Sequence, residues 1–153
     1  MSEDLDQVAG GIIDGNRYMV LGTADDGGRP WVSPVYYAPS EYSELYWVSS
    51  PHAQHSRNLA ARPEVSIVVF DSHAPVGEGQ GVYISAIAEL PTGPDLEHGI
   101  GIFSRVSASH GARPWTLEDV QQPAPLRLYR ARASEHWVLD PERRPDQRIR
   151  VRP

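Results

Sequence analysis

The residues best equipped for chemistry fall in one short run, Ser49-Ser50-Pro51-His52-Ala53-Gln54-His55-Ser56-Arg57. It follows an apolar, strand-like stretch, so a strand leads directly into a helix. Ser50 can cap that helix and Pro51 suits its first turn, while Pro63 discourages its continuation. A helix N-terminus offers unpaired backbone N–H groups and the positive end of the dipole, which together favour an anion. Ser49 and Ser50 add hydroxyls, and His55 and Arg57 add donors on either side of Ser56. A phosphate is the ligand these groups suit. The plainer alternative is that Ser50 only caps the helix and Arg57 is solvated.

Other candidates are weaker. His52 and His55 are three apart and can face one metal, but no third ligand lies near, so no metal site is expected. Ser104, Ser107 and Ser109 lack a nucleophile-elbow context, so no hydrolytic triad is supported. Gly77-Glu78-Gly79-Gln80-Gly81 precedes a strand rather than a helix, which excludes a dinucleotide-binding fingerprint. Gln80 stands at a strand entrance, where its amide can both donate and accept. Trp31, Trp47, Trp115 and Trp137 read as core or interface residues.

Composition narrows the chemistry further. All 14 basic residues are arginine, and there is no lysine and no cysteine. Schiff-base and P-loop lysines, thiol nucleophiles, disulfides and cysteine-ligated zinc are excluded. Redox chemistry would have to come from a bound cofactor or metal. A net charge of -6 argues against general nucleic-acid binding. No apolar run approaches the ~20 residues of a membrane span, so no membrane partner is expected, and the acidic N-terminus is unlike a secretory signal. A cytoplasmic protein is the expectation.

These residues need elements to position them. The length of 153 residues suggests one domain, and 13 glycines with 14 prolines favour many turns over long helices. A first helix is expected over Asp4 to Ile13, capped by Ser2. Strands are expected at Tyr18 to Thr23, Trp31 to Ala38, Glu44 to Ser49, Val65 to Phe70, Gln80 to Leu90, Leu126 to Ala133 and His136 to Leu139. Asp25-Asp26-Gly27-Gly28 marks a hairpin turn. Leu96, Ile100, Phe103 and Val106 give a helical stripe, and a short helix follows Thr116. Pro141 to Pro153, with Arg143, Arg144, Arg148, Arg150 and Arg152, reads as a solvated basic tail. Six or seven strands with a few short helices make a mainly β, β-rich α+β domain or small barrel.

The order of these pieces resembles the pyridoxamine 5'-phosphate oxidase-like split-barrel family, which binds flavin mononucleotide (FMN). Four motifs carry the resemblance. They are Gly28-Arg29-Pro30-Trp31-Val32-Ser33-Pro34-Val35-Tyr36-Tyr37, then Leu45 to Ser50, then His55 to Leu59 with Arg62-Pro63-Glu64-Val65, and last Gly79 to Ala86. A weaker echo runs from Pro125 to Val151.

The resemblance implies a split β-barrel and a set of cofactor contacts. Ser33, Pro34, Val35 and Tyr36 would lie along the flavin ring. Ser49, Ser50, His55, Ser56 and Arg57 would hold the phosphate, with His55 at the family's lysine position and Gln54 at a neighbouring basic one. Gln80 matches a flavin-contacting glutamine. Trp137 and Arg148 match an aromatic and an arginine from the C-terminal part. The arginine and lysine flanking the ring-contacting strand in true oxidases fall on Ser33 and Ala38, which moves the expected substrate from pyridoxamine phosphate to an unidentified small molecule. The resemblance also implies a homodimer with the cofactor at its interface. The alternative readings are a reductase that uses a deazaflavin coenzyme, which relatives on this fold bind, and a non-catalytic split-barrel protein that holds flavin or haem without turnover.

Overall fold

The computed structural model describes residues 4–142 and 147–153. Helix α1 (Leu5–Gly15) opens the chain, and the Asp4 carboxylate caps it by accepting the Asp6 and Gln7 backbone N–H groups at 3.0 and 3.4 Å. The cap expected from Ser2 lies outside the described residues. Strands β1 (Tyr18–Ala24) and β2 (Pro30–Tyr36) form the expected hairpin. Then come β3 (Ala38–Ser40), β4 (Glu44–Ser49), α2 (Gln54–Ala61), β5 (Glu64–Phe70), β6 (Gly81–Glu89) and α3 (Gly93–Ser109). A 3-10 turn at Leu117–Val120 leads to β7 (Arg127–Leu139) and β8 (Arg148–Val151).

The strands form one antiparallel sheet, ordered β2-β1-β5-β6-β7-β4-β3, with β8 also on β7. β2 and β3 lie at opposite ends of that order, yet only Tyr37 separates them in the chain. The sheet must therefore curl until its two ends nearly meet, and the result is a mainly β split barrel. Tyr37 is buried at the junction, where its hydroxyl donates to the Ile13 carbonyl and its N–H to the Arg17 carbonyl.

Alternation decides what each strand buries. Met19, Leu21, Ile67, Val69, Val82, Ile84, Trp47 and Tyr129 face the barrel interior, and Ala9 and Ile13 of α1 join them. Tyr46 and Leu128 point the other way and pack with Ile100 and Phe103 of α3. Gly99 permits that approach, because a Cβ there would stand 2.6 Å from Tyr46 Cε1.

Four sequence expectations change. The strand expected over Trp31 to Ala38 divides at Tyr37. Leu126 to Ala133 and His136 to Leu139 are one strand, not two; Ser134 is the extra residue of a bulge opposite Ser85 and Ala86, and its hydroxyl donates to the Ser85 carbonyl at 3.0 Å. Part of the expected basic tail is strand β8, on the free edge that β7 offers beyond β4, whereas Arg143 and Arg144 lie outside the described residues. Finally, α2 begins at Gln54 rather than at Ser50-Pro51. Pro51 instead sits second in a turn closed by the Ala53 N–H on the Ser50 carbonyl at 3.2 Å, a position its fixed φ favours.

Candidate functional site

The turn between β4 and α2 gives the site its character. Ser50 Oγ accepts the His52 N–H at 3.1 Å, and the Ser50 carbonyl also accepts the Ser56 hydroxyl at 2.7 Å. Ser50 therefore organises the turn rather than capping the helix. The N-cap is Ala53, whose backbone is extended (φ -62, ψ 149) and whose side chain has no oxygen. The N–H groups of Gln54, His55 and Ser56 gain no capping bond from any described residue. Three backbone donors and the positive end of α2 are left for something else.

His55 faces inward. It is 9% exposed, and its Nε2 lies 3.0 Å from Ser49 Oγ. Burial pushes its pKa below the usual imidazole value. Burial therefore favours the neutral imidazole over the cationic form that would pair with a phosphate. His136, half-buried with Nε2 at 2.8 Å from the Tyr42 carbonyl, is also shifted down by burial, opposed by that hydrogen bond.

Between the lowered native pKa and the unfolded value near ~6.5, the unfolded chain binds more protons. These two groups leave stability intact above about pH 6.5 and reduce it as the pH falls below that. Urea midpoints should therefore drop from pH 7.5 to pH 5.5, and the His55→Gln/His136→Gln variant should show a shallower drop. Parallel profiles would remove both imidazoles from the effect.

Arg57 does not join Ser49. Its Nη2 donates to Gln54 Oε1 at 2.7 Å, and it lines a hollow of about 270 Å³ shared with Asp25 and Asp26. Asn58 ties α2 to the barrel, donating to Thr23 Oγ1 at 3.1 Å.

On β2, the hydrogen bond from the Tyr37 N–H to the Arg17 carbonyl sets the parity. With Val35 opposite Met19 and Ser33 opposite Leu21, the odd-numbered residues bond to β1. The even-numbered ones turn their backbone groups to the open edge. Proline is tolerated there because it has no N–H to waste, as at Pro30 and Pro34. The Val32 and Tyr36 backbone groups and the Pro34 carbonyl thus line an unpaired edge. The Ser33 hydroxyl accepts the Trp31 indole N–H at 3.1 Å, Val35 is buried, and the Tyr36 hydroxyl pairs with His110 Nδ1 at 2.6 Å.

The remaining expected residues gather elsewhere. Gln80 Oε1 accepts the Gly81 and Leu139 N–H groups, and its Nε2 donates to the Leu139 carbonyl, so this side chain ties β6 to β7. Trp137 lies opposite Tyr83, and the Arg148 guanidinium sits 4.2 Å over the Tyr83 ring. This group is at the far end of β7 from Ser49, about 30 Å away at the ordinary strand rise. Within one chain, the expected cofactor residues form two separate sets.

The sheet's outer face around β1, β5 and β6 is apolar for an exposed surface. A cleft of about 550 Å³ runs over Gly22, Ser66 and Ser85, with Val32 (67% exposed) and Ile87 (42% exposed) at its sides. Sequence reading missed Arg127, which pairs with Ser49 only through the β4–β7 register. Among the described residues no three histidine or acidic side chains gather as a metal site, and no helix is long and apolar enough to cross a membrane.

Comparison with known proteins agrees with this architecture. Among curated proteins none matches the sequence significantly. Solved structures match throughout the fold. The heme binding protein from Mycobacterium smegmatis is 20% identical, with a TM-score of 0.73, over 98% of this chain and 58% of that one. This chain thus spans little more than half of that protein. HutZ, the heme storage protein from Vibrio cholerae, is 19% identical, with a TM-score of 0.68, over 86% of this chain and 92% of that one. General Stress Protein 26 from Bacillus anthracis is 15% identical, with a TM-score of 0.67, over 97% of this chain and 99% of that one. At these identities the likeness concerns the fold. The family model for pyridoxamine 5'-phosphate oxidase matches residues 5–140, nearly the whole split barrel from α1 to the end of β7, and the chain belongs to that family.

Proposed function

We propose that the protein binds FMN in a homodimer and acts as a flavin-dependent oxidoreductase on a small molecule. The observation that carries this reading is the N-terminus of α2, where three N–H groups next to Ser49 and Ser50 find no partner among the described residues. A phosphate monoester matches it in charge and in acceptor count. The residues present fit the cofactor: the open edge of β2 offers the backbone donors and acceptors that a flavin's pyrimidine edge requires. Bound flavin would supply hydride or electron transfer, which a chain without cysteine and without a convincing catalytic dyad cannot supply itself. The protein's share is to hold the phosphate at α2, align the ring along Val32 to Tyr36, and exclude water.

Two copies complete the site. Gln80, Trp137 and Arg148 are too far from Ser49 to meet one ligand in a single chain, and a two-fold pairing through the apolar outer face would bring one copy's set toward the other's. Val32→Asp should therefore convert a dimer of twice 17.0 kDa into a monomer in light scattering, with loss of FMN affinity. A monomeric variant that binds FMN as tightly as the dimer would remove the interface from the site.

Haem is the second reading, favoured by two structural neighbours, a heme binding protein and a heme storage protein. The site accommodates it as well, because His55, His110 and His136 each engage one ring nitrogen and keep the other for an iron. The visible absorption spectrum of the purified protein separates the readings. Flavin bands with stoichiometric FMN released on denaturation support the first, and a Soret band supports haem. A colourless protein that fails to bind added FMN would overturn the flavin reading. Fluorescence titration with the deazaflavin coenzyme tests that alternative.

A further inference from the structure

Arg127 is the first residue of β7 and lies beside the turn that leads into α2. Its Nη1 donates to the Ala124 and Leu126 carbonyls, both at 2.6 Å, which fixes the guanidinium against the proline-rich segment before β7. Among the described residues it forms no salt bridge, unlike Arg113, Arg130 and Arg132. It lines a cleft of about 440 Å³ whose other walls are Ser50, Pro51 and His52 on one side and Gln122 to Pro125 on the other. Ser50 Oγ accepts the His52 N–H, so its own hydroxyl hydrogen is free to donate. A guanidinium tethered through one nitrogen keeps Nη2 and Nε for a planar pair of acceptors.

We infer that this cleft is an oxyanion subsite, in which Arg127 and the Ser50 hydroxyl bind the carboxylate or phosphate group of the small molecule the protein acts on. The inference deepens the proposed function by giving that molecule an acidic group. It does not depend on flavin, because the cleft shares with the α2 site only the Ser50–His52 turn, and Arg127 reaches it from a different strand. Three features favour an anion over a neutral ligand. Among the described residues the guanidinium has no carboxylate partner, its tether to two carbonyls orients it before any ligand arrives, and the facing wall ends in a free hydroxyl donor.

The test uses inorganic phosphate and acetate as probes, each compared with chloride at matched pH and ionic strength. The readout is the melting temperature of the full chain. Phosphate should raise it in the wild type, and the rise should be lost in Arg127→Gln, which keeps a donor for the loop carbonyls but removes the charge. Arg127→Lys should keep part of the response. A response to acetate as well would assign a carboxylate-bearing molecule, and a response to phosphate alone would assign a phosphate ester. Anions bound only at the α2 terminus would stabilise wild type and Arg127→Gln equally, and that result overturns the subsite. So does an Arg127 that merely tethers the loop, since Arg127→Gln would then shift melting in every buffer by the same amount. Failure to bind FMN with the Arg127-dependent response intact would sink the flavin reading and leave the subsite standing.

Discussion

Ala53→Asp is expected to raise the melting temperature and, in the same protein, to weaken FMN binding about 100-fold. The two effects share one cause. Ala53 already has the extended backbone an N-cap requires, so an aspartate can adopt the position without rearrangement. Its carboxylate would accept the His55 or Ser56 N–H, which is worth about 0.5–2 kcal/mol of stability. For a chain of this size that is a rise of a few degrees, at about 2–4 °C per kcal/mol. The same carboxylate occupies the donors proposed for the phosphate and brings like charge to it. Losing one or two charge-assisted hydrogen bonds at about 1.5–3 kcal/mol each gives a fall of about two orders of magnitude. Riboflavin, which lacks the phosphate, should bind both proteins alike. Calorimetric titration of both ligands makes the check, and an FMN affinity unchanged in the stabilised variant would remove α2 from the cofactor site.

The second large effect concerns the barrel itself. Trp47→Ala should destabilise the protein by about 3–5 kcal/mol, the usual cost of truncating a fully buried tryptophan. Trp47 is wholly buried and stacks on Tyr129, with ring centroids 5.6 Å apart and planes at 13°. At about 2–4 °C per kcal/mol, melting should fall by about 6–20 °C. Trp47→Phe should cost much less. The indole Nε1 is buried without a partner among the described residues, so removing it relieves an unmet donor and offsets part of the lost volume. Thermal melts of both variants make the comparison. Equal destabilisation would mean that the indole N–H does find a partner in solution.

Part of this protein was legible from local sequence. Apolar and β-branched runs bounded by turn residues located β1, β4, β5 and β6 closely, and in β6 a two-residue alternation also sorted the two faces. The hairpin followed from Asp25-Asp26-Gly27-Gly28, whose turn preference is also local. The strand-to-helix junction between β4 and α2 was legible for the same reason. Its details were not. A serine followed by proline reads equally well as a helix cap or as a turn, and which of the two forms depends on where the Ser50 carbonyl finds its donors. The C-terminal arginines resembled a solvated tail because charged residues alternate on an edge strand much as they scatter in a coil. Only the free edge of β7 beyond β4 turns residues 148–151 into β8.

Taken by itself, the sequence determined a mainly β barrel, the strand-to-helix turn at residues 49–57, and a chemistry that cannot rest on thiols or lysine. These depend on residue identity and on periods of a few residues. The tertiary structure decided which of the candidate residues lie together. It turned Arg57 toward Asp25 and Asp26, buried His55 against Ser49, placed Trp137 and Arg148 at the opposite end of β7, and brought Arg127 to the turn instead. Those outcomes follow from strand register and from the closure of the sheet, both of which bring together residues dozens of positions apart, and no local pattern encodes such pairings.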